Sequence, residues 1–205
     1  MKKNKTIYVP LAIDILHSAH IRILKKAKSY GKVIVGLLTD KAISEYKKLP
    51  LLNYHERLEI LKGIKFIDII VKQDDWDYTK NIKIYNPNFF IHGDDWKKGI
   101  QKNQRKKVIK CLKDINSKLI EVPFSKNISS SGIKDKLIKL SDSPENRISK
   151  LRRLISSKPI VRVLESHNAL TGLIIEELNI TKNKKIEEFD CMWSSSLTDS
   201  ATKGK

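Results

Sequence analysis

Five short runs rich in branched and aromatic residues constrain this chain more than any other feature. They are TIYVPLAI (6–13), KVIVGLLT (32–39), KFIDIIVK (65–72), NFFIHG (88–93) and KLIEVP (118–123). Each has the length and β-branched content of a buried strand. The segments between them carry helical spacing: HSAHIRILKKAKSYG (17–31), NYHERLEILKGI (53–64), YTKNIKIYN (78–86) and IQKNQRKKVIKCLKDIN (100–116). Gly31 suits a helix end, Asn53 an N-cap, and Pro87 a stop. SSSGIKDKLIKL (129–140) reads as a last helix. Strands alternating with helices predict an α/β fold with a doubly wound, parallel five-stranded sheet. Ligands of such sheets sit beyond the carboxyl ends of the strands, near the point where the strand order reverses.

The pattern changes near residue 140. SDSPENRISK (141–150) reads as a linker, and residues 151–205 as helix, short strand, helix, then strand and loop. Charge divides at the same place. Residues 1–140 hold 30 Lys+Arg against 14 Asp+Glu, and residues 141–205 hold 11 against 9, for a net +18. The first part therefore seeks anions. Its densest basic run, Lys97 to Lys110, has only Trp96 as an aromatic neighbour, which argues for a solvated helix face rather than a base-stacking surface. No apolar run approaches membrane-spanning length, and the basic start is followed by Asp14 and two histidines, so neither a transmembrane helix nor a signal peptide is expected. Cys111 and Cys191 stand far apart with no paired-cysteine motif, which points to a reducing cytoplasm.

Three polar clusters fall at the expected ligand edge. After the first strand come Asp14, His17 and His20. Histidines three apart share a face of a helix's first turn, where free N–H groups and the positive dipole end favour phosphate oxygens. A metal site would need more ligands, with His92 or Asp94 as candidates, and two ordinary surface histidines are the bland alternative. After the fifth strand, ISSSGIK (128–134) opens a helix with three hydroxyls, a second phosphate-ready start. After the fourth, HGDDW (92–96) offers Asp94 and Asp95, carboxylates of the kind that meet Mg²⁺ or a ribose hydroxyl beside a triphosphate. Lys47, Lys48, Arg57 and Lys65 flank the second helix and would bind phosphates if they faced the same pocket.

In order and spacing, DILHSAH, NYHER, HGDDW and ISSSGIK resemble the motifs of glycerol-3-phosphate-type cytidylyltransferases, within the HxGH nucleotidyltransferase superfamily. The likeness covers about residues 5–140 and implies a Rossmann-like sheet, transfer of CMP from CTP to a phosphate-type acceptor, pyrophosphate release, and Mg²⁺. It assigns catalytic roles to His17, His20, Lys48, Arg57 and Lys65. It assigns nucleotide binding to Asp14, Gly93, Asp94, Trp96, Ser129, Ser130, Ser131 and Lys134, with Asp94 also near the metal. There are two departures from the pattern. Ala19 replaces the glycine of HxGH, and Pro10 and Leu11 stand where relatives carry a glycine near the end of the first strand. A methyl group at position 19 is expected to crowd the nucleotide and weaken turnover.

Residues 147–205 resemble the start of phosphoenolpyruvate mutase, an α/β barrel that makes a carbon–phosphorus bond. WSSSL (193–197) is the most specific part, and it matches Trp193, Ser195, Ser196 and Leu197 to residues that hold substrate. An eight-stranded barrel needs about 250 residues, so only its first elements are expected here, without mutase activity, as in a fragment of a fusion. The combined expectation is a cytidylyltransferase acting on a small phosphonate or phosphate, linked to phosphonate biosynthesis. It has no specific nucleic-acid or membrane partner, and there is room for a homodimer. A non-catalytic nucleotide-binding domain and salt-sensitive nucleic-acid binding are the alternatives.

Overall fold

The computed structural model describes residues 5–123, 144–182, 185–194 and 200–201. The chain divides into two compact units, Met1–Pro144 and Glu145–Lys205.

In the first unit, β1 (Thr6–Leu11), β2 (Lys32–Leu38), β3 (Ile69–Gln73), β4 (Phe89–Gly93) and β5 (Lys118–Val122) form one sheet in the order β3-β2-β1-β4-β5. Every neighbouring pair is parallel. The chain winds outward from β1 to β3, then returns to lay β4 on the other side of β1. The order reverses between β1 and β4, whose carboxyl ends are Leu11 and Gly93.

Strand alternation sends successive side chains to opposite faces. Ile7, Val9, Leu11, Val33, Val35 and Leu37 pack with Leu24 and Ala27 of α1 (Ser18–Lys28) and Leu61 of α3 (Tyr54–Lys62). Tyr8, Ile34, Leu38 and Phe90 pack on the other face, with α2 (Asp40–Ser44), α4 (Thr79–Tyr85) and α5 (Lys102–Asp114). Both faces are covered, as a parallel sheet requires. Asn53 caps α3 as its side chain predicts, accepting from the His55 and Glu56 N–H groups at 2.9 and 3.1 Å. α1 ends at Lys28, three residues before Gly31. Gly31 instead allows the close return into β2. Its φ is +151°, and a Cβ there would lie 2.1 Å from the Lys5 carbonyl oxygen. α2 is an additional short helix, capped by Thr39, which accepts from the Ala42 N–H.

A buried polar bridge ties β1 to β3 across β2. The Tyr8 hydroxyl donates to Gln73 Oε1 at 2.7 Å and accepts from Asn81 Nδ2 at 2.9 Å. Burial pushes its pKa above the usual phenol range. The ring passes directly over Gly36, where a Cβ would stand 1.9 Å from the hydroxyl oxygen.

The second unit begins with α6 (Pro144–Ser157), inside the stretch 141–150 expected to be a linker. Proline is tolerated in a first turn because its missing N–H would have no partner there. β6 (Val163–Glu165) pairs in parallel with β9 (Cys191–Trp193), and α7 (Ala169–Glu177) lies between them in sequence. NITKNKKIEE, where composition shows no strand alternation, contains the antiparallel pair β7 (Asn179–Lys182) and β8 (Lys185–Glu188). The nearly buried Asp190 carboxylate anchors the unit, pairing with Lys158 and accepting from the Arg162 N–H at 3.0 Å.

Gly36→Ala should destabilise the first unit by roughly 2–3 kcal/mol through overpacking. Tyr8→Phe in the same chain should recover part of that loss, because it removes the clashing oxygen. Urea denaturation of the two single variants and the double variant would check both outcomes.

Candidate active site

The carboxyl end of β1 runs into an unusual turn. Ile13 is buried, yet its φ is +42°. A β-branched residue there is strained by about 1–3 kcal/mol, which the surroundings must hold in place. On one side, the carbonyl of Ala12 accepts from Arg57 Nη1 at 2.5 Å. On the other, Asp14 Oδ1 accepts from the backbone N–H of Leu51. Pinned on both sides, the turn delivers the chain into α1 with His17 as its extended N-cap residue.

The His17 and His20 rings lie against each other, with centroids 3.9 Å apart and planes tilted by 30°. The His17 backbone N–H donates to His20 Nδ1 at 3.3 Å. That bond leaves the His20 proton on Nε2, so Nε2–H is a donor. Burial, His17 and Lys47 together push the His20 pKa down to about 3. Burial and the Arg22 charge lower that of His17. Both rings are therefore neutral at pH 7. His17 Nδ1 is buried without a hydrogen-bond partner among the described residues, an arrangement that costs about 1–3 kcal/mol and that a bound ligand could relieve.

Near the carboxyl end of β4, His92 Nδ1–H donates to the Gly93 carbonyl at 2.8 Å, and its ring stacks on Trp96 at 4.0 Å. Burial lowers the His92 pKa, with the Lys47 charge acting the same way. Lys47 thus acts on a histidine of α1 and on one of β4, across the point of strand reversal. It is exposed, and its ammonium lies 5.5 Å over the Tyr46 ring. Tyr46 in turn stacks on Trp76 at 5.0 Å.

Arg57 is wholly buried. It donates from Nε to the Leu52 carbonyl at 3.2 Å, from Nη1 to the carbonyls of Ala12 and Leu38, and from Nη2 to Asp40 Oδ1 at 2.7 Å. Its guanidinium fastens the ends of β1 and β2 to the loop before α3. Trp96 is also fully buried, and its Nε1–H donates to Glu121 Oε1 at 2.7 Å. Arg105, helped by Trp96 and Lys97, holds the Glu121 pKa at about 2 despite its burial. The carboxylate thereby anchors the Asp94–Lys97 turn under the site.

Of the residues singled out in the sequence, Asp14, His17, His20, Gly93 and Asp94 lie along the carboxyl edge of β1 and β4. Lys48 is exposed in the loop before α3. Lys65 is exposed beyond α3, its ammonium 5.5 Å over the Phe66 ring. Ser129, Ser130, Ser131, Lys134, Ser195, Ser196 and Leu197 lie outside the described residues. Trp193 is an exposed residue of β9. In the basic run, Lys97 and Arg105 pair with Glu121 and Lys107 pairs with Asp77, so part of that face is scaffold. Among the described residues, no helix is long and apolar enough to cross a membrane. Sequence reasoning missed Ile13, because nothing local marks a left-handed isoleucine. It also passed over Tyr46 and Trp76, whose partnership is visible only once β2 and β3 are adjacent.

A family described as cytidylyltransferase-like matches residues 13–136. The chain belongs to the cytidylyltransferase-like family. It is 29% identical over 126 residues to a glycerol-3-phosphate cytidylyltransferase of Bacillus subtilis, a match covering 60% of this chain and 90% of that protein. It is 32% identical over 132 residues to an FAD synthase of Thermococcus sibiricus, covering 61% of this chain and 86% of that protein. A third relative, an ethanolamine-phosphate cytidylyltransferase of Arabidopsis thaliana, is 28% identical over 100 residues, which cover 46% of this chain and 24% of the relative. The family's nucleotidyltransfer chemistry fits neutral imidazoles gathered at a helix start.

The shifted groups make stability acid-sensitive. His20 has a lowered folded pKa, so its contribution is complete above the unfolded value near 6.5 and is lost as pH falls toward 3. Glu121, also lowered, contributes above about 4.5 and loses this as pH falls toward 2. Melting temperature should therefore drop as pH is lowered from 7. His20→Asn, which keeps an acceptor for the His17 N–H, should flatten the decline between pH 6.5 and 4, and Glu121→Gln the decline below about 4.5. Arg57→Lys should cost about 3 kcal/mol by leaving carbonyls and Asp40 unsatisfied, measurable by urea denaturation.

Proposed function

We propose that this protein transfers CMP from CTP to a small phosphonate or phosphate acceptor and releases pyrophosphate. The observation that carries this reading is the close, neutral His17–His20 pair at the start of α1. An oxygen of the acceptor's phosphonate or phosphate group attacks the α-phosphorus. The bond from that phosphorus to the oxygen bridging the β-phosphate breaks, and pyrophosphate carries away the electron pair. Catalysis of such a step is chiefly positioning and charge stabilisation. His20 Nε2–H and the free N–H groups of α1 would donate to the α-phosphate oxygens, and Lys47 would offset charge at the phosphoryl groups. His17 would bind the same phosphates, and Arg57 would act as a positioning residue by fixing the turn that aims both histidines.

Among the described residues, no three His, Cys, Asp or Glu side chains converge to hold a metal ion. That suits Mg²⁺, which usually keeps its waters and is held through substrate phosphates with one or two carboxylates. Asp94 would be the protein's contribution, and the ion would offset phosphate charge.

The phosphonate choice rests on the resemblance of residues 147–205 to the start of phosphoenolpyruvate mutase. Relatives named for glycerol 3-phosphate and ethanolamine phosphate support a small phosphorylated acceptor more broadly. The methyl group of Ala19 favours a second reading, nucleotide binding without turnover, and calorimetric binding of CTP with no pyrophosphate would identify it.

Pyrophosphate release should be measured with CTP and with ATP, each against 2-aminoethylphosphonate, 2-hydroxyethylphosphonate and glycerol 3-phosphate. CTP with at least one acceptor should give turnover, and silence across the panel in folded protein with Mg²⁺ would refute the transfer. His17→Ala should abolish turnover. Ala19→Gly should raise it, despite costing about 1 kcal/mol of helix stability.

A further inference from the structure

The second unit carries most of the protein's exposed apolar surface. Among the described residues, twelve of the fifteen large apolar side chains that stand exposed belong to it. The first unit, with more than twice as many described residues, exposes three. The twelve together open on the order of 1,000 Å². A standard protein interface takes about 800 Å² from each partner, so this unit can supply one. Charge does not oppose contact there, because residues 141–205 hold 11 Lys+Arg against 9 Asp+Glu, while residues 1–140 hold 30 against 14.

α7 concentrates the anomaly. Its inner face is packed. Ile175 is buried, and a Cβ on Gly172 would lie 3.3 Å from Ser166 Oγ and 3.7 Å from Met192 Sδ of β9. At about 100° per residue, Leu170, Leu173 and Ile174 fall on the opposite side. They are 66%, 55% and 51% exposed. A helix packed on a sheet ordinarily turns polar residues outward. Further strands beside β6 or β9 would lengthen the sheet and still leave this outer stripe open. Whatever covers it must come from the helix side.

The charges along α7 select the partner. Its first turn holds no acid, and its last turn holds Glu176 and Glu177 with no base. The carboxylates therefore oppose the helix's own dipole at its carboxyl end, and its amino end lacks a complementary charge. An antiparallel copy of the same helix corrects both. About a twofold axis, Leu173 meets the partner's Ile174, and Glu177 reaches the start of the partner's helix beside the partner's Leu170. We propose that the protein self-associates through the outer face of α7, packed antiparallel on α7 of a second copy. This concerns assembly and is independent of the proposed transfer.

Sedimentation equilibrium of the full chain reads the assembly directly, and a dimer is expected at micromolar concentration. Leu173→Glu alters an exposed side chain, so circular dichroism should show the fold retained. The dimer should weaken about a hundredfold, because it would bury two carboxylates beside its axis. Glu177→Lys separates this packing from a merely structural role. It complements the dipole of its own helix, so in the monomeric Leu173→Glu background the melting temperature should hold or rise. In the otherwise unaltered chain it should weaken the dimer about tenfold, because each lysine then faces the positive start of the partner's helix. A full chain that stays monomeric overturns the proposal, whether it remains free in solution or floats with vesicles of anionic lipid, which would give the face to a membrane. A dimer that keeps its affinity in folded Leu173→Glu overturns it as well, by placing the contact elsewhere. Unchanged or tighter association of Glu177→Lys overturns the antiparallel arrangement.

Discussion

The buried guanidinium of Arg57 is the interaction on which the ligand edge depends. It joins the carbonyls of Ala12, Leu38 and Leu52 to the Asp40 carboxylate, so three separate pieces of chain meet at one planar fork. A buried charge is tolerated only when paired and fully hydrogen-bonded, and here the partners are themselves the strand ends that need fixing. Holding Ala12 keeps Ile13 in its left-handed conformation, and that conformation sets the direction in which α1 starts. The position of the histidine pair is thus a consequence of packing one helix away. A lysine could supply the charge but not the fork.

The electrostatics of the site follow from the same burial. A protein of net +18 needs no special provision to attract an anion. What burial adds is neutrality where neutrality is useful. His17 and His20 are pushed toward the uncharged form by desolvation, so each presents fixed N–H and lone-pair geometry rather than a floating charge. Lys47 supplies the mobile positive charge from the rim.

Much of the frame was legible in the residues. The five strands are short, β-branched and bounded by turn formers, and their order of appearance with helices between them leaves a parallel sheet as the economical solution. Asn53 was readable as a cap because its side chain has one obvious use before YHERLEIL. Other residues had chemistry without an address. Arg57 reads as a phosphate ligand from its type, yet the structure gives its donors to the protein's own backbone. Trp96 reads as part of a nucleotide turn, yet it is fully buried and holds Glu121. Lys47 and Lys48 are indistinguishable by sequence, and only the approach of the loop to β1 and β4 makes Lys47 the one whose charge reaches both His20 and His92.

In the first unit, the sequence by itself determined which segments form the five-stranded sheet, which faces are apolar, and that histidines and carboxylates gather where β1 and β4 end. Those properties are local, set by periodicity and by the hydrogen-bonding habits of single side chains. Tertiary structure alone decided which of the charged residues stay exposed and which are absorbed by the scaffold. The physical reason is that burial and pairing arise between segments distant in the chain: Arg57 becomes structural only when Ala12, Leu38 and Asp40 surround it.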